Sequence, residues 1–359
     1  MARRIFGVVL ILLVFGLIVL SSASSVQAEK QFGSSAYYWR HQLLYGILPG
    51  LLGLYFFWRF DYRKLRVLAF PFLAVALVAM ILVFVPSIGV HLKGATSWLS
   101  LGVFTFQPAE FLKLALIVYL AAWLGERSER IKSWQLGFLP FALVTGFVAF
   151  LLLLQPDLGT LGIISIIAGS IYFFAGTPIR HSVAVVIAVV AMIGIAAFVS
   201  PLRLARITTI FNPQADVRGT GWQLNQSLIA IGSGGVWGVG LSQSTQKLGF
   251  LPEPIGDSIF AILMEELGLV GGIVTLSLFA FLATLLMMTA QRAHDGFGAL
   301  LCTGMCIWVM TQAVVNITAV TGLGPLTGVP LPFISYGGTS MVAMLSGLGM
   351  VLNVAERTG

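Results

Sequence analysis

Runs of about twenty apolar residues recur along this chain from end to end, and no other property restricts its fold so severely. They fall at Ile5–Ser22, Gln42–Trp58, Val67–Pro86, Pro108–Leu124, Leu136–Leu154, Leu158–Ala175, Val183–Ser200, Ser258–Met288, Ala299–Val320 and Thr339–Val354. Each is the length a helix needs to cross ~30 Å of hydrocarbon. A backbone in lipid must satisfy its own hydrogen bonds, so runs of this length read as helices. With 58% hydrophobic and only 9% charged residues, the composition excludes an ordinary soluble domain. The expectation is an all-α polytopic membrane protein of about ten transmembrane helices, forming a single domain over residues 1–359.

Charge orients it, because cytoplasmic loops collect Lys and Arg. With the N-terminus inside, the cytoplasmic segments hold Arg3, Arg4, Arg59, Arg63, Lys64, Arg66, Arg127, Arg130, Lys132, Arg180, Arg292 and Arg357, whereas the short external loops hold Lys30, Arg40 and Lys93. Both termini are therefore expected in the cytoplasm. The one long polar stretch, 201–257, becomes a large extracytoplasmic loop between helices 7 and 8. The formal charge of +7 is spread through short loops as a topology signal, and no nucleic-acid partner is expected. Arg3-Arg4, the apolar core after them and Ser25-Val-Gln-Ala28 also fit a cleaved signal peptide, so residues 1–28 are either helix 1 or a leader. Cys302 and Cys306 lie four apart in an apolar run and read as small core residues. The Gly-rich run Ile231–Gly240 follows no strand and has no Walker lysine, and reads as a close-packed re-entrant or interfacial segment. No internal repeat suggests a transporter of two inverted halves.

Ionisable residues at membrane depth are costly and mark function. Glu110 and Lys113, at i and i+3, share a helix face and can neutralise each other; as a pair near the outer end of a span they can also line a cavity. Glu265 and Glu266 have no cation within four residues. Asp157, in Gln155-Pro-Asp-Leu-Gly-Thr160, is an external turn residue placed to cap the next helix. Asp257, at the end of the long loop, is either an N-cap or a functional acid. As a cap its carboxylate would be held by helix N–H groups and would serve better as a cation ligand than as a base. Arg and Lys beside apolar span surfaces suit an anionic, lipid-linked substrate.

A series of ordered blocks then resembles one family. Arg203-Leu-Ala-Arg206, Phe211-Asn-Pro-Gln-Ala-Asp216, Gly219-Thr-Gly-Trp-Gln223, Asn225-Gln-Ser227, Gly240-Leu-Ser-Gln-Ser-Thr-Gln-Lys247, Phe250-Leu-Pro-Glu253, Asp257-Ser-Ile-Phe260 and Glu265-Glu-Leu-Gly268 are similar to the SEDS family of cell-wall polymerases (RodA, FtsW, SpoVE). Gly94-Ala-Thr-Ser-Trp98, Gln107-Pro-Ala-Glu110 with Lys113, and Ser335-Tyr-Gly-Gly-Thr-Ser340 carry the resemblance over nearly the whole chain. Gln155–Thr160 is more like the elongation branch, RodA, than the division branch, FtsW. Two departures stand out: Ser97 where the family often has Arg, and Ser258 where an aromatic residue usually follows the acid.

The resemblance implies a peptidoglycan glycosyltransferase of the bacterial cytoplasmic (inner) membrane, polymerising lipid II at the outer face during cell elongation. It implies a class B penicillin-binding protein as transpeptidase partner, alongside other elongation-complex membrane proteins. Asp257 then takes the place of the family's essential loop acid, as a base or as the ligand of a divalent cation, Mg or Mn. Lys113, Arg206 and Lys247 are candidates to stabilise diphosphate charge, with Glu110 orienting Lys113. Asp157, Gln226 and Ser227 join them as substrate-binding candidates. A lipid II transporter or a non-catalytic scaffold for the transpeptidase are the competing readings.

Overall fold

The architecture comes from a computed structural model, described here for residues 1–92, 95–100, 102, 105–125, 129–198 and 220–358. It is a mostly helical bundle. The chain opens with α1 (Ala2–Phe32), closed by Gly33 in the left-handed conformation at φ 65°, whose N–H returns to the Glu29 carbonyl. A left-handed C-cap of this kind favours glycine because it has no Cβ to clash. Next come α2 (Tyr37–Gln42), a π-helical turn over Leu43–Ile47 and α3 (Leu48–Arg59), which run on as one rod. Helix α4 (Tyr62–Leu82) starts at Asp61, whose side chain accepts the Arg63 N–H. The order continues with α5 (Pro108–Leu124), α6 (Leu139–Leu154) after a π turn, α7 (Leu158–Phe174), α8 (Ile179–Phe198), α9 (Thr220–Gly234), α10 (Ile259–Arg292), α11 (Gly296–Val320) and α12 (Gly338–Arg357). Six of the described helical segments are long and apolar enough to cross a membrane: Ala2–Phe32, Tyr62–Leu82, Trp134–Leu154, Ile259–Arg292, Gly296–Val320 and Gly338–Arg357.

Helix α11 is the hub, packed against α5, α7, α9, α10 and α12. Its Trp308 and Gln312 are fully buried. Helices α3 and α12 approach so closely that a Cβ on Gly349 would lie 2.3 Å from the Leu54 carbonyl oxygen. Small residues at such crossings let backbones touch, which is how membrane helices gain packing energy in a solvent as apolar as themselves.

Two features depart from a chain of helices joined by loops. Between α4 and α5 lies a small antiparallel sheet in the order β1 (Gly89–Leu92), β2 (Ala95–Ser100), β3 (Thr105–Phe106), with Val90 opposite Trp98 and Leu99 opposite Phe106. The segment is short and rich in β-branched and aromatic residues, a local preference that an apolar-window reading passes over. Ser97 is buried within it. The stretch 201–257 is also no open loop where it is described: α9 and a 3₁₀ turn at Gln246–Leu248 occupy it.

The Gly-rich run after α9 docks against α10 where that helix breaks. Gly268 has φ 65° and ψ −164°, which leaves the carbonyls of Glu265 and Glu266 to accept from Val239 N (3.0 Å) and Gly240 N (3.0 Å). In return, Leu269 N and Val270 N donate to Gly235 and Val236. Irregular backbone leaves N–H and C=O groups that need partners, and here each segment supplies the other's. A Cβ on Gly238 would meet the Glu266 carbonyl oxygen at 2.2 Å, so the glycines are there for close approach.

Candidate active site

Asp257 stands in the turn that enters α10, and neighbouring segments hold it from several sides. Helix α9 supplies Gln223, whose Nε2 donates to Asp257 Oδ2 (3.2 Å) and to Ser258 Oγ (3.0 Å). Helix α11 supplies Asn316, whose Nδ2 donates to the Asp257 carbonyl (2.8 Å) and to the Val329 carbonyl (2.8 Å). From the segment before α12, Ser335 Oγ donates to the Gly256 carbonyl (2.7 Å) and Tyr336 N to the Ile255 carbonyl (2.9 Å). The N-cap position of α10 is Ser258, which makes no side-chain cap. The carboxylate of Asp257 is thus presented by Gln223 across the helix interface, and the cap alternative gives way.

Glu110 and Lys113 lie in the first two turns of α5, entered through Pro108. Their side chains are almost wholly buried and pair at 2.8 Å. The ammonium also donates to Gln312 Oε1 (3.1 Å) and sits 5.1 Å from the centre of the Trp308 ring. Trp308 Nε1 donates to the same Gln312 oxygen (2.8 Å), and Gln312 Nε2 donates to the Pro330 carbonyl (3.0 Å). Burying an ion pair costs several kcal/mol per ion unless geometry and further hydrogen bonds return it. Here the three N–H donors of Lys113 meet two acceptors, Glu110 and Gln312, and Glu110 Oε2 is buried and accepts no hydrogen bond from the described residues.

Gln312 and Asn316 join these two halves. Four residues apart on α11, they share a face and differ by about 6 Å along the axis. One holds Lys113 and the Pro330 carbonyl, the other the Asp257 and Val329 carbonyls. Neither was among the residues expected from the sequence, although two amide side chains at i, i+4 in an apolar span were the signal that could have found them. Gln223 and Ser335 lie in the family-like blocks Gly219–Gln223 and Ser335–Ser340.

The remaining candidates separate. Asp157 caps α7, with Oδ1 accepting the Thr160 N–H (3.0 Å). Burial pushes its carboxyl above the usual range, the Thr160 hydrogen bonds oppose that, and the charges on Lys113 and Glu110 reach it. Ser227 is buried and donates to the Gln223 carbonyl (2.8 Å), so it serves the helix that carries Gln223. Gln226 is buried on the same helix. Arg206 lies outside the described residues. Lys247 requires a correction. Its ammonium is buried and bonded to Glu266 Oε1 (2.7 Å) and to Ser22 Oγ (3.2 Å), so it is committed to holding the loop and is not offered to a diphosphate. The Ser22 hydroxyl in turn lies 2.7 and 2.6 Å from the two Glu266 oxygens, which share its one proton. Glu265 accepts from Ser244 Oγ and from Thr245 N (2.9 Å). Both glutamates found their partners across the loop, beyond the four-residue reach of a helix-face reading.

Among the described residues, no three His, Cys, Asp or Glu side chains gather to hold a metal ion. Asp257 would bring one carboxylate to a divalent cation, leaving most ligand positions to substrate oxygens and water.

Residues 2–359 match the family model FTSW_RODA_SPOVE, described as a cell cycle protein. The chain belongs to that family, the SEDS proteins. It is 40% identical to stage V sporulation protein E of Bacillus subtilis (strain 168) over 355 residues, covering 97% of this chain and 95% of that protein. It is 38% identical to a probable peptidoglycan glycosyltransferase FtsW of Trichlorobacter lovleyi, covering 98% and 93%. Among solved structures it resembles the rod shape determining protein RodA of Thermus thermophilus, with TM-score 0.73, 27% identity and coverage of 99% and 96%. It also resembles a chain from work on the structural coordination of polymerization and crosslinking by a peptidoglycan synthase complex, with TM-score 0.83, 28% identity and coverage of 99% and 98%.

Proposed function

We propose that this SEDS protein is an inverting glycosyltransferase that polymerises lipid II into glycan strands at the outer face of the cytoplasmic membrane. The observation that carries the reading is the polar seam on α11, where Gln312 and Asn316 hold Lys113 and the Asp257 turn about one helical turn apart. The topology that goes with it has ten spans, both termini in the cytoplasm and the Asp257 turn outside. The short-loop cation count supports it.

Joining an α-linked diphosphate sugar to an acceptor with a β product requires inversion and hence one displacement. The acceptor's 4-hydroxyl oxygen attacks the anomeric carbon, the bond from that carbon to the diphosphate oxygen breaks, and the hydroxyl proton passes to the Asp257 carboxylate. Lys113, oriented by Glu110, and Arg206 offset the charge that develops on the departing diphosphate. Asp157 and Gln226 complete the substrate-binding set. In the second role, Asp257 would supply one carboxylate ligand to Mg²⁺ or Mn²⁺, which would offset diphosphate charge, and chelator sensitivity restored by either ion separates that from a base.

The partner is a class B penicillin-binding protein with transpeptidase activity, together with other elongation-complex membrane proteins. The elongation role itself rests on Gln155–Thr160, while the relatives at 38–40% identity carry sporulation and division names. Complementation of elongation-, division- and sporulation-deficient cells distinguishes the three. For the chemistry, purified protein with its partner in detergent is given lipid II and glycan strands are measured. Asp257→Asn should lower the rate by ~10²–10⁴-fold while leaving the melting temperature within a few degrees. A folded variant polymerising at the wild-type rate defeats the assignment, and a wild type that makes no strands returns the case to transport or scaffolding.

A further inference from the structure

Asn316, Ser335 and Tyr336 hold the turn that carries Asp257, but their contacts end at backbone carbonyls. The torsion that swings an aspartate carboxylate is broad and roughly two-fold, so its direction needs a restraint of its own. Gln223 supplies one. A glutamine amide has two N–H donors, and here there is an acceptor for each: Asp257 Oδ2 at 3.2 Å and Ser258 Oγ at 3.0 Å.

The second acceptor makes the first contact directional. Ser258 is fully buried, and its backbone is fixed on both sides. Its N–H donates to the Glu253 carbonyl (3.3 Å), and its own carbonyl accepts from Ala261 N (3.0 Å). An amide anchored on that hydroxyl cannot rotate without giving up one bond or the other. The hydroxyl stands where the family usually has an aromatic residue, so this anchor belongs to the present chain.

Gln223 is held from behind as well. Ser227 Oγ bonds its carbonyl, and Trp222 Nε1, one residue earlier, donates to the Phe250 carbonyl (3.1 Å). At the far end of α9 a Cβ on Gly234 would lie 2.0 Å from the Met264 carbonyl oxygen, so α9 meets α10 backbone to backbone. The amide therefore comes from a helix pinned at both ends.

A neutral donor suits the task. An N–H on a carboxylate oxygen orients it and favours its charged form. A lysine or arginine in the same place would hold the anion more strongly and make it a poorer base.

We infer that Gln223 and Ser258 form a two-point clamp that aims the Asp257 carboxylate at the acceptor hydroxyl. Gln223 is then a positioning residue that acts through Asp257. The inference rests on the polymerase reading for the hydroxyl, and on the clamp alone for the aim.

The test uses the full-length protein with its partner and lipid II. Gln223→Met keeps the side chain's length and removes both donors. It should lower kcat by about 10²-fold, the scale of a 1 Å misplacement. KM for lipid II should stay within about twofold, as for an interaction that counts in the transition state. Gln223→Asn leaves the amide one methylene short; it should lose at least about tenfold and serves if Gln223→Met does not fold. Ser258→Ala keeps one bond to Asp257 and should lose less than Gln223→Met.

The contact also has a readout independent of turnover. Gln223→Glu sets two carboxylates together and should lower the melting temperature. Adding Asp257→Asn, whose amide can donate back, should restore most of that loss. A folded Gln223→Met with the wild-type kcat overturns the inference, as does a loss that falls on KM alone or a Gln223→Glu defect that Asp257→Asn does not relieve. A wild type that makes no strands removes the polymerase reading and the aim with it, whereas an active wild type beside an equally active Gln223→Met removes the clamp alone.

Discussion

Two lysines are buried against glutamates in this protein, and the two pairs are built differently. Lys113 meets Glu110 three residues away on one helix, at 2.8 Å. Lys247 meets Glu266 across the loop and α10, at 2.7 Å. Distance and burial do not tell them apart. What differs is how fully each carboxylate is used. Glu266 Oε1 takes the lysine, and the one Ser22 hydroxyl proton is shared between both Glu266 oxygens, whereas Glu110 keeps a buried oxygen with no hydrogen bond from the described residues. A saturated pair holds structure together; an unsaturated one keeps capacity for a ligand.

Exchanging the charges within each pair is the strongest way to break this contrast. Glu110→Lys with Lys113→Glu should fold but lose ~10²–10³-fold in polymerisation rate, the scale of a lost charge stabiliser. Lys247→Glu with Glu266→Lys should recover most of the melting temperature and most of the activity. If the first exchange is as active as the second, saturation is no guide to function. Next in size, Lys247→Met strands Glu266 without its cation and should cost about 3–5 kcal/mol of stability. Denaturant unfolding in detergent measures that cost, and turnover per folded molecule should hardly change. Gln312→Leu should cost about 1–3 kcal/mol, since it removes the shared acceptor of Lys113 and Trp308. Its turnover per folded molecule should fall, unlike that of Lys247→Met.

The smallest effect concerns pH. His41 accepts from or donates to the Tyr336 hydroxyl at 2.8 Å, and Tyr336 N donates to the Ile255 carbonyl in the Asp257 turn. Burial lowers the His41 pKa below its ordinary 6.5. The unfolded chain therefore binds a proton first as pH falls, so the stability from neutral His41 is complete above 6.5 and declines as pH drops toward the folded value. Melting at pH 7.5 should exceed that at pH 5.5, and His41→Gln should flatten the difference. A slope that persists in His41→Gln would point to other carboxylates or histidines.

Much of the bundle is legible as apolar length, because lipid permits few ways to satisfy a backbone. The Glu110–Lys113 pair is legible too, since i and i+3 lie on one face whatever the tertiary fold. Partnerships across sequence are not. Lys247 is a candidate only through the family resemblance, and Glu265 and Glu266 have no cation within four residues, so neither partner of the Lys247–Glu266 pair points to the other in the sequence. Asn316 sat in an apolar run that an apolar-window reading treats as filler, and the two i, i+4 amides gain meaning only when Pro330 and the Asp257 turn are seen against them. The short sheet between α4 and α5 escaped because its strands are too brief to show a period.

Helix α1 runs unbroken through Ser25-Val-Gln-Ala28, with Ala28 buried, and it places Ser22 against Lys247, 225 residues later in the chain. At 5–20 residues per second of synthesis, that hydroxyl waits roughly 10–45 s for the residues it will bond. Helix α1 is thus a seat kept open during translation, and the Asp257 loop closes on it only once the residues up to Glu266 have been made. Removing residues 1–28 after insertion would cost this protein far more than an address label.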